Sequence, residues 1–287
     1  MSSLNDKLTL ANNNVPKTYM AGKSGKDMTD WSYYFYNKIR FEMLDYINTS
    51  NGTNFTYMFY GCNNLTSIPQ LNTSKGTDFS YMFRNCIALT SIPQLNTSNG
   101  TNFNSMFGWC QSISTIPKLN TSKGTDFSRM FQRCSNLTSI PQLDTSNGKL
   151  FTSMFEESGI VSVPQLNTSN CTDCGSMFWG CSKLESVAQI DISKSKSNNA
   201  FMFASCSKLK DITFIGEIPS TIKLSDSSKL TLASLQSIVN ALKVYTTASQ
   251  TLTLNSASWT VLEASTPPEG YETWKEYISN YKHWNYV

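Results

Sequence analysis

The chain has 287 residues, of which 15% are charged and 39% hydrophobic, with a net charge of +3. So few and so balanced charges exclude nucleic acid as a main partner, because phosphate binding needs clustered Lys and Arg. The modest apolar fraction and the many Ser, Thr and Asn residues suit a repeat protein with a thin, continuous core.

The N-terminal stretch "MSSLNDKLTLANNNVPK" has no apolar run after its charges, so it does not read as a secretory signal. No segment approaches the roughly 18 apolar residues of a membrane span, so no membrane insertion is expected. The first cysteine, Cys62, lies too far along for a processed lipoprotein anchor. Residues 1–47 are expected to form an N-terminal cap or attachment segment. Within it "WSYYFYNKIRFEMLDY" reads as a helix packed on the first coil, and Tyr34-Phe35 mark a degenerate first repeat.

From about residue 48 one sentence recurs. Met-Phe pairs at Met58, Met82, Met106, Met130, Met154, Met177 and Met202 are spaced by 24, 24, 24, 24, 23 and 25 residues. A fixed period of this length predicts a stack of coils, since one unit cannot bury its apolar face alone. Phe55, Met58, Phe59 and Cys62 fall at i, i+3, i+4 and i+7, the pattern of a short helix. Leu65, Ile68 and Leu71 then predict a short parallel strand, with stacked strands about 4.8 Å apart. Pro69, Pro93, Pro117, Pro141 and Pro164 share one position, replaced by Ala188 in the next coil. Proline removes a ladder donor, so this position is expected to end or bend the strand. The column Asn72, Asn96, Asn120, Asp144, Asn167 and Asp191 is expected to cap the following turn.

These letters resemble the BspA-like leucine-rich-repeat surface proteins, in particular the subgroup with T-S-N-x-T-x-M-x-x-M-F-x-x-C units, which also occurs in phage genomes. The resemblance covers residues 48–214. It departs in the Pro column and in Phe where the family often has Met or Val. It implies a solenoid used for adhesion or recognition, and no reaction. The expected fold is therefore an α/β repeat solenoid: a leucine-rich-repeat-like, right-handed stack of about seven 24-residue coils over residues 48–215, between two caps.

Residues 216–287 are expected to form a mixed C-terminal cap. In it, Leu232, Leu235, Ile238, Val239 and Leu242 share a helical face, "SQTLTLNS" reads as a strand, and "PPEGYETWKEYISNYKHWNYV" as a terminal helix and tail.

Chemistry is sparse. Cys62, Cys86, Cys110, Cys134, Cys181 and Cys206 each follow their Met by four residues and read as buried free thiols. Cys171-x-x-Cys174 could be a redox or half-zinc motif, yet no second ligand pair exists and the only histidine is His283. The repeat accounts for the pair, since Cys171 replaces the turn Gly and Cys174 the Phe of its coil. Asp78, Asp126 and Asp173 are expected to place charge near a helix start, and Glu156-Glu157 to be solvated. No catalytic residue, metal or cofactor is expected.

Variation between coils marks a candidate recognition face, because the drifting positions are rich in Tyr, Trp and Arg. Its residues are Tyr57, Tyr60, Tyr81, Arg84, Trp109, Arg129, Arg133 and Trp179. The expected partner is a bacterial surface protein or glycan, with a homo-oligomer possible. The lack of export features points to a phage virion component, bound to other virion proteins, with a bacterial surface adhesin as the alternative.

Overall fold

The computed structural model describes residues 28–37 and 47–287. Part of the aromatic N-terminal cluster, residues 38–46, lies outside the described residues.

Parallel bridges join Asp30 to Asn54, Asn54 to Asp78, and so on through Asn102, Asp126, Leu150 and Asp173. Each repeat therefore sits on the one before it, in register and with the same chain direction. Residues 31–37 make one more such layer rather than a helix. Trp31 N donates to Asn54 O and Phe35 N to Met58 O, both at 2.8 Å.

The arc carrying Met-Phe is not helical, which corrects the expectation from its i, i+3, i+4, i+7 pattern. Its amide groups alternate between two destinations. Met58 N, Tyr60 N and Cys62 N turn back three residues to Phe55 O, Tyr57 O and Phe59 O. Phe55 N, Tyr57 N, Phe59 N and Gly61 N instead cross to Asp78 O, Ser80 O, Met82 O and Arg84 O of the next coil. A helix would take all of them internally. Left-handed residues at Tyr57 (φ 57°) and Gly61 (φ 70°) interrupt the helical path, and the same two positions are left-handed in coil after coil. The i→i+3 turns nevertheless keep Phe55, Met58, Phe59 and Cys62 on one side, where all four are fully buried.

Two aromatic columns form the core. Phe35, Phe59, Phe83, Phe107, Phe131, Phe155, Phe178 and Phe203 stack face to face at 5.0–5.8 Å. Phe55, Phe79, Phe103, Phe127 and Phe151 form the second column at 5.4–5.9 Å. In the second column each ring tip lies over the glycine three residues earlier; a Cβ on Gly100 would meet Phe103 Cζ at 2.6 Å.

Where this column ends, the glycine changes with the ring. Cys174 takes the Phe position and Cys171 the Gly position, and a disulfide joins them in the core. Asn199 and Ser195 follow. Asn199 is fully buried, accepts from Ser195 Oγ at 3.1 Å and donates to Ser220 Oγ at 2.9 Å. Cys174→Phe alone should therefore clash with the Cys171 side chain, whereas Cys171→Gly with Cys174→Phe restores the ring-over-glycine pair. A double-mutant cycle by urea unfolding is expected to show coupling above about 1 kcal/mol; additive effects would refute the pairing.

The Pro column explains where strands appear. The repeats with Pro69, Pro93, Pro117 and Pro141 have no continuous strand at this arc, contrary to the expected strand in every coil. Strand β1 (Ser162–Val163) stops directly before Pro164, and the five-residue β2 (Ser186–Ile190) forms where Ala188 replaces proline. With β3 (Asp211–Phe214) these make a parallel sheet in the order β1-β2-β3. In three of the proline-bearing coils, those of Gln70, Gln94 and Gln142, a glutamine amide bridges to the backbone of the next layer instead. Gln70 Nε2 donates to Gln94 O, and Gln94 Nε2 to Lys118 O, both at 2.6 Å.

The Asn/Asp column caps as expected: Asn72 Oδ1 accepts from Ser74 N at 3.2 Å and Ser74 Oγ at 2.8 Å. The buried threonine beside it links coils, with Thr73 Oγ1 donating to Asn96 O at 2.9 Å. Asp78, Asp126 and Asp173 have no helix to stabilise. Each accepts from the backbone N–H two residues on, at 2.8–3.1 Å, and so closes a turn at the bridge.

Beyond the repeats the layering continues with different elements. β4 (Ile222–Leu224) is followed by α1 (Leu232–Ala241), β5 (Gln250–Leu254), α2 (Ser256–Glu263), a short turn α3 (Trp274–Glu276) and β6 (Trp284–Tyr286). The strands make a second parallel sheet, β4-β5-β6. The expected terminal helix is thus only α3 and the π turn Tyr277–Tyr281, and the tail pairs as β6. On α1, Leu235, Ile238 and Val239 are buried, as is Leu242 just past its end, while Leu232 is exposed. Helix α1 occupies the place where a next strand would pair with β3. Ser234 Oγ and Ser237 Oγ accept from Ile212 N and Phe214 N, each at 3.0 Å, so serine hydroxyls satisfy an edge that would otherwise template pairing.

Candidate functional site

The drifting positions gather on the Met-Phe arc as columns, but they are not one continuous patch. Tyr33, Tyr57 and Tyr81 stack at 4.7 and 4.4 Å, and Tyr36 lies on Tyr60 at 5.0 Å. Burial first, then the adjacent Tyr81 and Tyr33 phenols, push the Tyr57 hydroxyl up to about 12. Arg84 extends this tile, its guanidinium 5.7 Å from the Tyr81 ring and Nη1 donating to Ser105 Oγ at 2.9 Å. Trp109 is half-buried beneath Arg133, 4.1 Å away, and Arg133 Nε lies 2.7 Å from Glu157 Oε2. That trio satisfies its own charges. Arg129 and Trp179 are exposed, with no ring or ion contact to either group among the described residues.

A second surface feature, a concavity, lies elsewhere. An open groove of about 1940 Å³ runs from Ile47–Ser50 along the segments Pro69–Ser74, Gln94–Ser98, Lys118–Ser122, Gln142–Ser146 and Gln165–Ser169. Side chains alternate in each segment: Leu71 and Thr73 point to the core, while Gln70 and Asn72 are exposed. The coils thus align a Gln column, an Asn/Asp column and a Ser column. Two substitutions break the uniformity, Lys118 in the Gln column and Asp144 in the Asn column. Two hydroxyl- and amide-derived bonds from Ser146 hold the Asp144 carboxyl below its usual range.

Drift between coils could not find this groove, because its residues scarcely drift. The signal present in the sequence was the opposite one: Gln and Asn exposed at fixed positions, with no core role for one end of each amide.

The thiols are placed for stability. Cys62, Cys86, Cys110, Cys134, Cys181 and Cys206 are free and buried. Each donates its S–H to a phenylalanine carbonyl of the preceding coil, as Cys86 Sγ does to Phe59 O at 3.0 Å and Cys134 Sγ to Phe107 O at 3.1 Å. They are therefore more than small apolar fillers. Ser158 takes this position in the one coil without such a cysteine and donates its backbone N–H to Phe155 O. Burial pushes the Cys110 and Cys181 thiols up to about 12. Native protein is expected to resist alkylation at neutral pH. Unfolded without reductant it should take up six labels by mass, and with reductant eight; a native label count above one or two would refute the burial.

Among the described residues no three His, Cys, Asp or Glu side chains converge as metal ligands. Nor does any described helix have the length and apolarity to cross a membrane.

Fold and groove together define a stacked-repeat protein with two faces, one variable and aromatic, the other constant, polar and concave. The family described as "Mycoplasma protein of unknown function, DUF285" matches residues 23–116 and 101–214, well over half the chain, and the chain belongs to that family. The match spans the stretch that resembles BspA-like repeats. No curated protein matches. Among solved structures the chain is similar to a leucine-rich cell surface protein from Faecalibacterium prausnitzii, at 17% identity over 65% of this chain and 76% of that one, with a TM-score of 0.21. A likeness this loose fixes neither architecture nor function.

Proposed function

We propose that the protein is a non-enzymatic recognition or adhesion protein of the leucine-rich-repeat solenoid type, displayed on a bacterial surface, and that the polar groove holds its ligand, a surface protein or glycan. The groove carries this reading: a concavity of about 1940 Å³ built by repeating rows of exposed amides is suited to multivalent, weak contacts. The variable tile of Tyr57, Tyr60, Tyr81 and Arg84 has the composition of a second contact surface. A virion location rests only on missing export features and has no residue contact or family match in its favour.

Antibody labelling of intact producing cells, beside purified particles from the same culture, tests the location. Label on cells and none on particles is expected. The reverse result would move the protein to a virion. Beads carrying the full chain should also adhere to bacterial or host cells, and a failure to adhere to either would remove the recognition role.

A further inference from the structure

We infer that the groove takes a neutral, unbranched polysaccharide whose chain runs along the stack, successive sugar units lying over successive coils. The inference rests on the recognition reading above and specifies its ligand class.

Three rows (Gln70/Asn72, Gln94/Asn96 and Gln165/Asn167) have one fixed acceptor and one fixed donor left over, whereas Lys118 removes the acceptor from one row and Asp144 the donor from another. Gln94 Nε2 is held by Leu95 O at 3.1 Å and Lys118 O at 2.6 Å, which leaves its Oε1 without a partner. Asn96 Oδ1 accepts from Ser98 N at 3.1 Å and Ser98 Oγ at 2.7 Å, which leaves its Nδ2 without one. Both side chains are exposed in the groove and already immobilised, so little conformational freedom is lost when a ligand binds. A sugar hydroxyl both donates and accepts, and so matches such a pair.

Three features narrow the class. Repetition of the same row favours a ligand that repeats, because a non-repeating one gains nothing from identical rows. Charge favours a neutral ligand: the groove is lined by only two charged side chains, Lys118 and Asp144, of opposite sign and in adjacent coils. Spacing disfavours an extended peptide, which repeats every two residues at about 6.6 Å, against about 4.8 Å between stacked layers.

Lys118 supplies the test, because Lys118→Gln gives that coil the side chain of its neighbours and should fold unchanged. The full chain is titrated calorimetrically with cello-, laminari-, manno- and xylo-oligosaccharides of increasing length, after a screen on an array of neutral and anionic glycans. Affinity for a neutral series should rise with each added unit until the rows are filled. Lys118→Gln should strengthen binding about threefold to tenfold, and Leu232→Ala, at an exposed position of α1 outside the groove, should leave it unchanged. Binding independent of length, or only to anionic glycans with weakening by Lys118→Gln, or only to an unfolded polypeptide, would overturn the inference. So would the absence of binding to any glycan. If cells still capture the protein in that case, recognition stands and the ligand class falls; if they do not, both fall.

Discussion

Raising the pH above 9 is expected to unfold the protein within one to two pH units. Cys86, Cys110, Cys134, Cys181 and Cys206 all have thiol pKa values raised first by burial, against an ordinary value of 9.0. The native state therefore keeps protons that the unfolded chain gives up. Their stabilising effect is complete below pH 9, declines as the unfolded thiols ionise, and is gone once the native thiols titrate, near 12 for Cys110 and Cys181. Each thiol contributes a slope of about 1.4 kcal/mol per pH unit in that window, so five give roughly 6–7 kcal/mol per unit. That is comparable with the whole stability of a typical domain, about 5–15 kcal/mol. Lys282 acts in the opposite sense, since burial lowers its pKa, but it is one group against five. Urea melts at half-unit steps from pH 8 to 11 measure the slope. Cys110→Ala with Cys134→Ala should flatten it by about two fifths, and a pH-independent stability through pH 10 would refute the account.

Phe107→Ala is expected to cost about 3–5 kcal/mol, the range for truncating a buried aromatic. Phe107 is fully buried, 5.6 Å from Phe83 and 5.8 Å from Phe131, so its loss opens a cavity bounded by two rigid rings. Its backbone also joins coils through Phe107 N to Met130 O at 3.0 Å, which holds the walls apart. Because a repeat stack is stabilised mainly by nearest-neighbour interfaces, a defect in the middle weakens the coupling of its two halves. Urea unfolding should then change from one transition to a broader or two-step curve. A loss below about 1 kcal/mol with a single sharp transition would show that the column is not a continuous core.

The 24-residue period and the buried set could be read from Met58-Phe59 and its copies, because burial on one side leaves apolar letters at constant spacing. The path of the chain between those letters could not. A helix and a series of i→i+3 turns bury the same positions, and what separates them is the left-handed backbone at Tyr57 and Arg129, residue types that do not announce it. At about 1 kcal/mol each, such conformations persist only because the neighbouring coil accepts the crossing amide, an interaction distant in sequence. Proline was more informative: its missing donor predicted the stop at Pro164, and Ala188 marked where a longer strand returns. The groove escaped notice for the reason that makes it regular. Gln70 and Asn72 look purely architectural until the structure shows one end of each amide bonded and the other open.

The serine-capped edge of β3 also bears on how such a protein could vary over generations. Ser234 and Ser237 close the layer that ends at Phe214 and make no demand on how many layers lie beneath it. The backbone bonds across the internal boundaries between Gly76 and Gly148 repeat, as from Phe79, Phe103 and Phe127 N to the next coil, so unequal crossing-over between gene copies of one repeat would add or delete a whole row while both ends stayed intact. Reach along the groove is thus a copy-number trait, adjustable in steps of 24 codons without any new interface having to be invented.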